Sequence, residues 1–407
     1  MTYIDQIITL ANKCKRLSLF PYSLSYKNCS NKCSFCYLHC NNETQELTLE
    51  DFKEIANNVV SSIRDNIYKI NKDVKIFLIL IGGELFHLPN EYYDVYQKLI
   101  TDLLSICKEN EISFNVDLFS NLIYSKNRLN KFIELFNFCK NNNIGVNIDT
   151  SYDIHGRFLS EQTLYLWYDN FKAVSEFTTP LVNIILMTSS LEAYIQDRDI
   201  PEVKVFKELL KNKTKFAYNG YTIIEKDKYE ELPSYDLCVN FFKKIIDDYW
   251  IDLPEFEIFY FKEKYKNNLL KEVDPFCGFI DCNILTYSLP KVSDIYNRNI
   301  KLGEYGILET YCIHNVSEFM DKTVLKEWPK ICNDCNKLYC IQDTKKGEEF
   351  ILNKYTCSTC KFLSFCNAYK DVIRNCYMNY FIDYYTNRKC ILRPVLEYIK
   401  KKVDDER

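Results

Sequence analysis

From Val74 to Ile81 the chain is almost unbroken in apolar, largely β-branched side chains, the length and texture of a strand covered on both faces in a parallel sheet. The run belongs to a series. Before it, Thr48-x-x-Asp51 reads as a variant capping box, and Phe52, Ile55, Ala56, Val59, Val60 and Ile63 follow at helical spacing. After it the pattern predicts a helix near Tyr92 to Cys107, a strand from Ser113 to Phe119, a helix from Leu129 to Cys139 and a strand from Ile144 to Ile148. It continues with a helix from Leu164 to Ser175, a strand from Leu181 to Met187, a helix from Val203 to Leu210 and a strand from Phe216 to Ile224. Upstream, a short helical lead (Tyr3 to Lys13) and a strand at Tyr22 to Tyr26 are expected. Such alternation predicts an α/β fold with a parallel sheet. Six units point to a partial (β/α)6 TIM-like barrel rather than a closed ring of eight. An aromatic and charged helical stretch, Tyr235 to Trp250 and then Phe256 to Tyr265, is expected to close it.

With 407 residues, 47% of them hydrophobic, the chain can bury one large core and a smaller one. A net charge of -4, with lysine runs interleaved with acids, argues against a nucleic-acid partner. The 32 Tyr and 27 Phe fall at helix and strand periods and are expected in the core. Ile76 to Ile81, the longest apolar run, is too short to span a membrane, and Met1 to Leu10 lacks the pattern of an export signal. Nineteen cysteines in such a chain predict reduced thiols serving as metal ligands in a cytoplasmic protein.

Ligands of α/β barrels bind at the C-terminal ends of the strands. The second strand ends in Gly82-Gly83-Glu84, where two glycines permit close backbone approach and the Glu can accept hydrogen bonds from an ammonium group. Ser120 and Asn121 follow the third strand, and the fourth leads into Asn147-Ile148-Asp149-Thr150-Ser151-Tyr152-Asp153-Ile154-His155. For His155 a helix-capping role at the surface stands beside a functional one.

The cysteines divide the chain. Five lie in the first 40 residues, eleven lie between Cys277 and Cys390, and Cys107, Cys139 and Cys238 between them sit in apolar helical stretches as core thiols. Cys29, Cys33 and Cys36 are spaced so that one loop can wrap three thiolates around a four-iron cluster, leaving one iron open. A zinc site completed by His39 or Cys40 is the alternative.

With Asn28 before the first cysteine and Phe35 in the aromatic slot, C-x3-C-x-(aromatic)-C resembles the signature loop of the radical S-adenosylmethionine (SAM) enzymes. The resemblance implies a [4Fe-4S] cluster on Cys29, Cys33 and Cys36 whose open iron chelates SAM, and reductive cleavage of SAM to a 5′-deoxyadenosyl radical. Phe35, Gly82, Gly83, Glu84, Ser120 and Asn147 would then contact the cofactor. Asp149 and His155 match parts of a motif in the branch that modifies peptides and proteins, and are the candidate catalytic residues; Asn147, Thr150 and Ser151 replace its usual Ser and Gly-Pro.

Cys357-x2-Cys360-x5-Cys366, with Cys277-x4-Cys282 and Cys312 before it and Cys376 and Cys390 after, resembles the SPASM extension of that family. The resemblance implies two auxiliary [4Fe-4S] clusters. Order and spacing assign Cys277, Cys282, Cys312 and Cys376 to one and Cys357, Cys360, Cys366 and Cys390 to the other, although Lys370 stands where the family carries its next cysteine. Cys332, Cys335 and Cys340 can replace part of the first set or hold zinc, and zinc ribbons remain an alternative for the tail. The implied organisation is a radical SAM barrel over residues 1–230, a helical bridge over 231–270 and a SPASM-like domain over 271–407. The implied activity is hydrogen abstraction from a peptide or protein, installing a thioether or carbon-carbon crosslink in a ribosomally made peptide, with a flavodoxin- or ferredoxin-type reductant. Sulfatase-type oxidation of a Cys or Ser, radical chemistry on a small molecule and a zinc-binding scaffold are the alternatives. The first 20 residues are too short for the winged-helix leader-binding domain of many peptide maturases, so leader recognition would fall to another protein or surface.

Overall fold

The computed structural model describes residues 48–81, 84–220, 233–267 and 391–407, together with 8, 11–12, 15–21, 29, 31, 33, 231, 285–286, 307–308 and 361–362. Strand β1 (Arg16–Phe20) is followed by α1 (Leu49–Asn66), β2 (Lys75–Leu80), α2 (Asn90–Glu109), β3 (Ser113–Phe119), α3 (Lys126–Asn141) and β4 (Gly145–Tyr152). Then come α4 (Glu161–Ser175), β5 (Leu181–Leu186), α5 (Thr188–Ile195), α6 (Pro201–Lys211), β6 (Lys215–Gly220), α7 (Tyr235–Asp248), β7 (Glu255–Phe256) and α8 (Phe261–Lys266). Helix α9 (Leu392–Asp405) is the last described element.

Seven strands, β1 to β7, run parallel in their order along the chain. Beyond β1 the sheet is extended by β8 (Leu285–Thr286), parallel to it, and β9 (Ile307–Leu308), antiparallel to β8. Because the order never reverses and parallel crossovers are right-handed, the connecting helices gather on one face, which is barrel-type rather than doubly wound topology. The edges β7 and β9 have no strand partner beyond the sheet among the described residues, so the sheet is an open arc there.

Local chemistry explains where the elements begin. Thr48 caps α1 with its hydroxyl on the Asp51 amide while Asp51 accepts from the Thr48 amide at 2.8 Å, so the variant capping box forms with Asp in place of Glu. Ser160 and Ser234 cap α4 and α7 through their hydroxyls, and Pro201 opens α6. The helix-facing side chains Leu17, Leu19, Ile76, Leu78, Leu80, Val116, Leu118, Ile148, Val182, Ile184 and Leu186 are all buried. Aromatic rings fill the space behind them. Trp167 of α4 packs on Tyr152 at 5.1 Å and stacks on Phe171 at 5.2 Å, and its indole N–H donates to Thr150 at 3.2 Å. The Tyr and Phe content therefore serves packing here. No helix among the described residues is long and apolar enough to cross a membrane.

The structure departs from the sequence expectations in four places. The first strand is Arg16–Phe20, whereas Tyr22 to Tyr26 lie outside the described residues. Its alternation of Leu17 and Leu19 with Arg16 and Ser18 is that of a strand whose second face is polar. Strand β4 continues to Tyr152, four residues past the expected end, because Ile148, Thr150 and Tyr152 keep feeding the helix-side core. Helix α5 follows β5 without forecast. The residues read as one helix from Phe256 open instead with β7, which pairs with Lys215 and Phe216, and a 3-10 turn at Glu257–Tyr260.

Helix α9 packs on α7 and α8, burying Leu392, Val395, Leu396, Ile399 and Val403. This helix thus helps close the core. Removal of the fully buried Trp167 side chain in Trp167→Ala is expected to cost about 3–5 kcal/mol, read as a lower urea midpoint at unchanged slope.

Candidate functional site

The second face of the sheet mixes polar side chains with Phe77, Ile79, Phe119 and Ile185. In β4 the residues pointing away from the helices are Gly145, Asn147, Asp149 and Ser151; Asn147 is exposed and Asp149 and Ser151 are half-buried. Parallel register sets Asp117 beside Asn147, Phe119 beside Asp149 and Ser151 beside Asn183. Asn147 Nδ2 donates to Asp117 Oδ1 at 2.8 Å, and Asn183 Nδ2 donates to Asp149 Oδ1 at 3.3 Å. Across β2, Arg16 lies over the Phe77 ring at 4.0 Å and brings Nη2 to 3.8 Å from Asp117 Oδ2. A closed barrel fills this face with branched apolar side chains. Here it offers amides, carboxylates and a guanidinium.

At the C-terminal strand ends, Glu84 is 1% exposed and sits just beyond β2. Its Oε1 accepts from the Tyr124 hydroxyl at 2.6 Å and the Phe86 amide at 3.3 Å; its Oε2 accepts from the Asn121 amide and the Ser120 hydroxyl. Burial raises the Glu84 carboxyl above its usual range, against the opposing pull of His87 and of these hydrogen bonds. Ser120 Oγ also lies against the Tyr124 hydroxyl and accepts from the Leu122 amide at 2.9 Å. Leu122 is held at φ 53°, and Asn170 of α4 pins the turn by donating to the carbonyls of Leu122 and Tyr124, both at 2.9 Å. Ser120, expected to contact the cofactor, lies in this turn directly after β3.

Asn121 reaches from the turn to the cysteine loop, with Nδ2 3.7 Å from Cys29 Sγ. Cys29 and Cys33 are reduced thiols that lie close enough to interact electrostatically. Burial, and then the Glu84 charge, push the Cys29 thiol up to about 11, although the Asn31 amide and Asn121 favour the thiolate. Asn31 Nδ2 is buried in the same loop without a hydrogen-bond partner. Two soft thiol ligands, amide donors aimed at one of them and an orphaned buried amide fit a thiolate-held cluster. Among the described residues no group of three metal ligands is assembled. The expected third ligand, Cys36, lies outside them, as do Phe35, Gly82, Gly83 and the tail cysteines Cys277, Cys282, Cys312, Cys357, Cys360, Cys366, Cys376 and Cys390. Cys107, Cys139 and Cys238 are buried core thiols, each pushed up to about 12 by burial.

Past β4, the His155 amide donates to Ser190 at 3.1 Å and the side chain is half-buried. Two neighbours escape a reading of the sequence. Arg157 is 3% exposed and donates to Ser151 Oγ at 2.7 Å and to the Asn121 carbonyl at 3.2 Å, joining the end of β4 to the turn that touches Cys29. Asp153 is 1% exposed, and neither carboxylate oxygen meets hydrogen-bond geometry, although the Arg157 charge and the amides of Arg157 and His155 favour its anion. Burial outweighs them and holds Asp153 well above the usual carboxylate range. The only signal in the sequence is their place just after a strand.

The same architecture occurs among solved proteins. Polyhistidine-tagged anSMEcpe with bound AdoMet matches with a TM-score of 0.52 at 14% identity, over 96% of this chain and 98% of that one. The chain shares the fold of an AdoMet-bound enzyme. Native anSMEcpe with bound AdoMet matches over the same shares with a TM-score of 0.50 at 13% identity. No family model matches the sequence, and no curated protein does. The shared anSMEcpe fold thus agrees with the α/β architecture predicted from the strand and helix pattern.

The pH behaviour of Asp153 follows from its surroundings. Its folded-state pKa lies above the unfolded value, so the folded state holds the proton more tightly, and this stabilisation is complete below the unfolded pKa and lost as pH rises through the folded one. Asp153→Asn, which is neutral throughout, should gain in urea midpoint relative to the parent as pH rises across that window. A difference independent of pH would contradict a buried, protonated Asp153.

Proposed function

We propose that the chain is a radical SAM enzyme that abstracts hydrogen from a peptide or protein. The observation that carries this reading is the convergence of Cys29 and Cys33 with the ends of β2, β3 and β4, above a sheet face that carries polar side chains, in a fold shared with AdoMet-bound anSMEcpe. Cys29, Cys33 and Cys36 would hold a [4Fe-4S] cluster, which together with SAM would supply a carbon radical strong enough to take hydrogen from unactivated carbon. Glu84, Ser120 and Tyr124 bond one another in the turn after β3, from which Asn121 reaches Cys29. The sequence resemblance implies that Phe35, Gly82 and Gly83 would contact the cofactor. Asn147, Asp149, Ser151 and Asn183 present hydrogen-bonding groups on the face where a peptide amide would lie, and Asp149 and His155 are the groups able to move a proton. The tail cysteines would hold two further clusters as electron acceptors, with a flavodoxin- or ferredoxin-type reductant upstream.

Crosslinking is the preferred outcome: a carbon radical next to a cysteine sulfur closes a C–S bond and gives up one electron and one proton, so the peptide loses two hydrogens in total. Sulfatase-type oxidation is the second reading, favoured by the shared fold with anSMEcpe, an anaerobic sulfatase-maturating enzyme, and by Asp149 on the accessible sheet face. There the carbon loses two hydrogens: a hydroxyl carbon becomes an aldehyde directly, and a thiol carbon becomes a thioaldehyde that water converts to the aldehyde with release of hydrogen sulfide. Mass spectrometry of a cysteine-containing peptide after turnover separates the two.

The decisive assay is anaerobic reconstitution with iron and sulfide, then dithionite and SAM. The wild type should release 5′-deoxyadenosine, and Cys33→Ala should release none. Release by the variant at the wild-type rate, or zinc without iron in the wild type, would overturn the reading.

A further inference from the structure

All four polar groups of Asn121 are committed. Its amide N–H goes to Glu84 from the end of β2, and its carbonyl accepts from Arg157 beyond β4 at 3.2 Å. Its Oδ1 accepts from the Ile123 amide at 2.8 Å, and its Nδ2 donates to Cys29 Sγ at 3.7 Å. The residue is 7% exposed. The third of these contacts orients the side chain. The Ile123 amide can only donate, so the atom facing it must be the oxygen, and the NH2 group is left to face the sulfur. A flipped amide would set donor against donor at Ile123 and a carbonyl against the sulfur.

We infer that Asn121 is a positioning residue that fixes an N–H donor on the sulfur of Cys29, and that Glu84 and Arg157 are the clamps that hold it there. The inference rests on the reading of Cys29 as a cluster ligand and says what this chain adds to that ligand. Hydrogen bonds to cluster sulfurs stabilise the more negative, reduced state and so raise the reduction potential. Asn121 makes the cluster easier to reduce, and it does so from strand ends held by two other elements, without bonding iron itself. Glu84, buried beyond β2, acts on the cluster through Asn121.

The test is a potentiometric titration of the reconstituted holoprotein, followed by electron paramagnetic resonance on the signal that disappears in Cys33→Ala. Asn121→Leu removes the donor. Asn121→Asp is nearly isosteric, keeps an oxygen for the Ile123 amide and turns a second oxygen toward the sulfur, so it preserves the turn if the leucine variant does not fold. Both should bind wild-type iron and reduce at a more negative potential, the aspartate variant by the larger shift, with about a tenfold loss in the reduction equilibrium (about 59 mV for one electron) as the expected scale. Unchanged potentials in iron-replete variants would overturn the inference and leave the radical SAM reading standing. A wild type that gives no such signal would overturn both.

Discussion

The site depends on one buried carboxylate. Glu84 stands at the end of β2 out of reach of water and takes donors from Phe86, Ser120, Asn121 and Tyr124. A buried acid left without such partners would cost several kcal/mol, so the turn after β3 is drawn to it as firmly as it is drawn to the turn. The consequence travels outward. Leu122 is held at positive φ, Asn170 locks the turn to α4, and the side-chain amide of Asn121 is left to meet Cys29.

The sheet then divides labour between its faces. Val, Ile and Leu on the helix side lie under aromatic clusters such as Tyr152, Trp167 and Phe171, where dry packing supplies stability. The other side carries Arg16, Asp117 and Asn147 in one set of ionic and hydrogen-bonded contacts and Asp149 with Asn183 in another. Such a face is tolerable because these groups partner one another, and because the arc is open where a closed barrel would be filled. A polar ligand can exchange those contacts for its own at modest cost.

Much of this is legible in the sequence. The apolar run at 76–80 and the apolar residues at 114, 116 and 118 and at 182, 184 and 186 mark their strands because the face packed against helices has little freedom in composition, and Thr48 with Asp51 marks the start of α1 through a local hydrogen-bond pair. The first strand is hidden because its polar Arg16 pairs with Asp117 on β3, a contact between residues far apart in the chain. The end of β4 reads too early because Asp149 and Ser151 look like loop residues unless the second face is known to be polar. Arg157 and Asp153 carry no local signal beyond their place after a strand.

The sequence by itself determined the alternation of strand and helix, the helix caps and the clustering of cysteines in two regions of the chain. These are encoded in the period of apolar side chains and in neighbours a few residues apart. Only the tertiary structure decided that Glu84 spends its carboxylate on the turn after β3, that Arg157 joins it, and that Asn121 is the residue whose amide touches Cys29. Residues 29, 84, 121 and 157 meet because parallel strands in sequential order bring their C-terminal ends to one edge. Hydrogen-bond satisfaction in a buried space then selects which of the polar residues there bind one another.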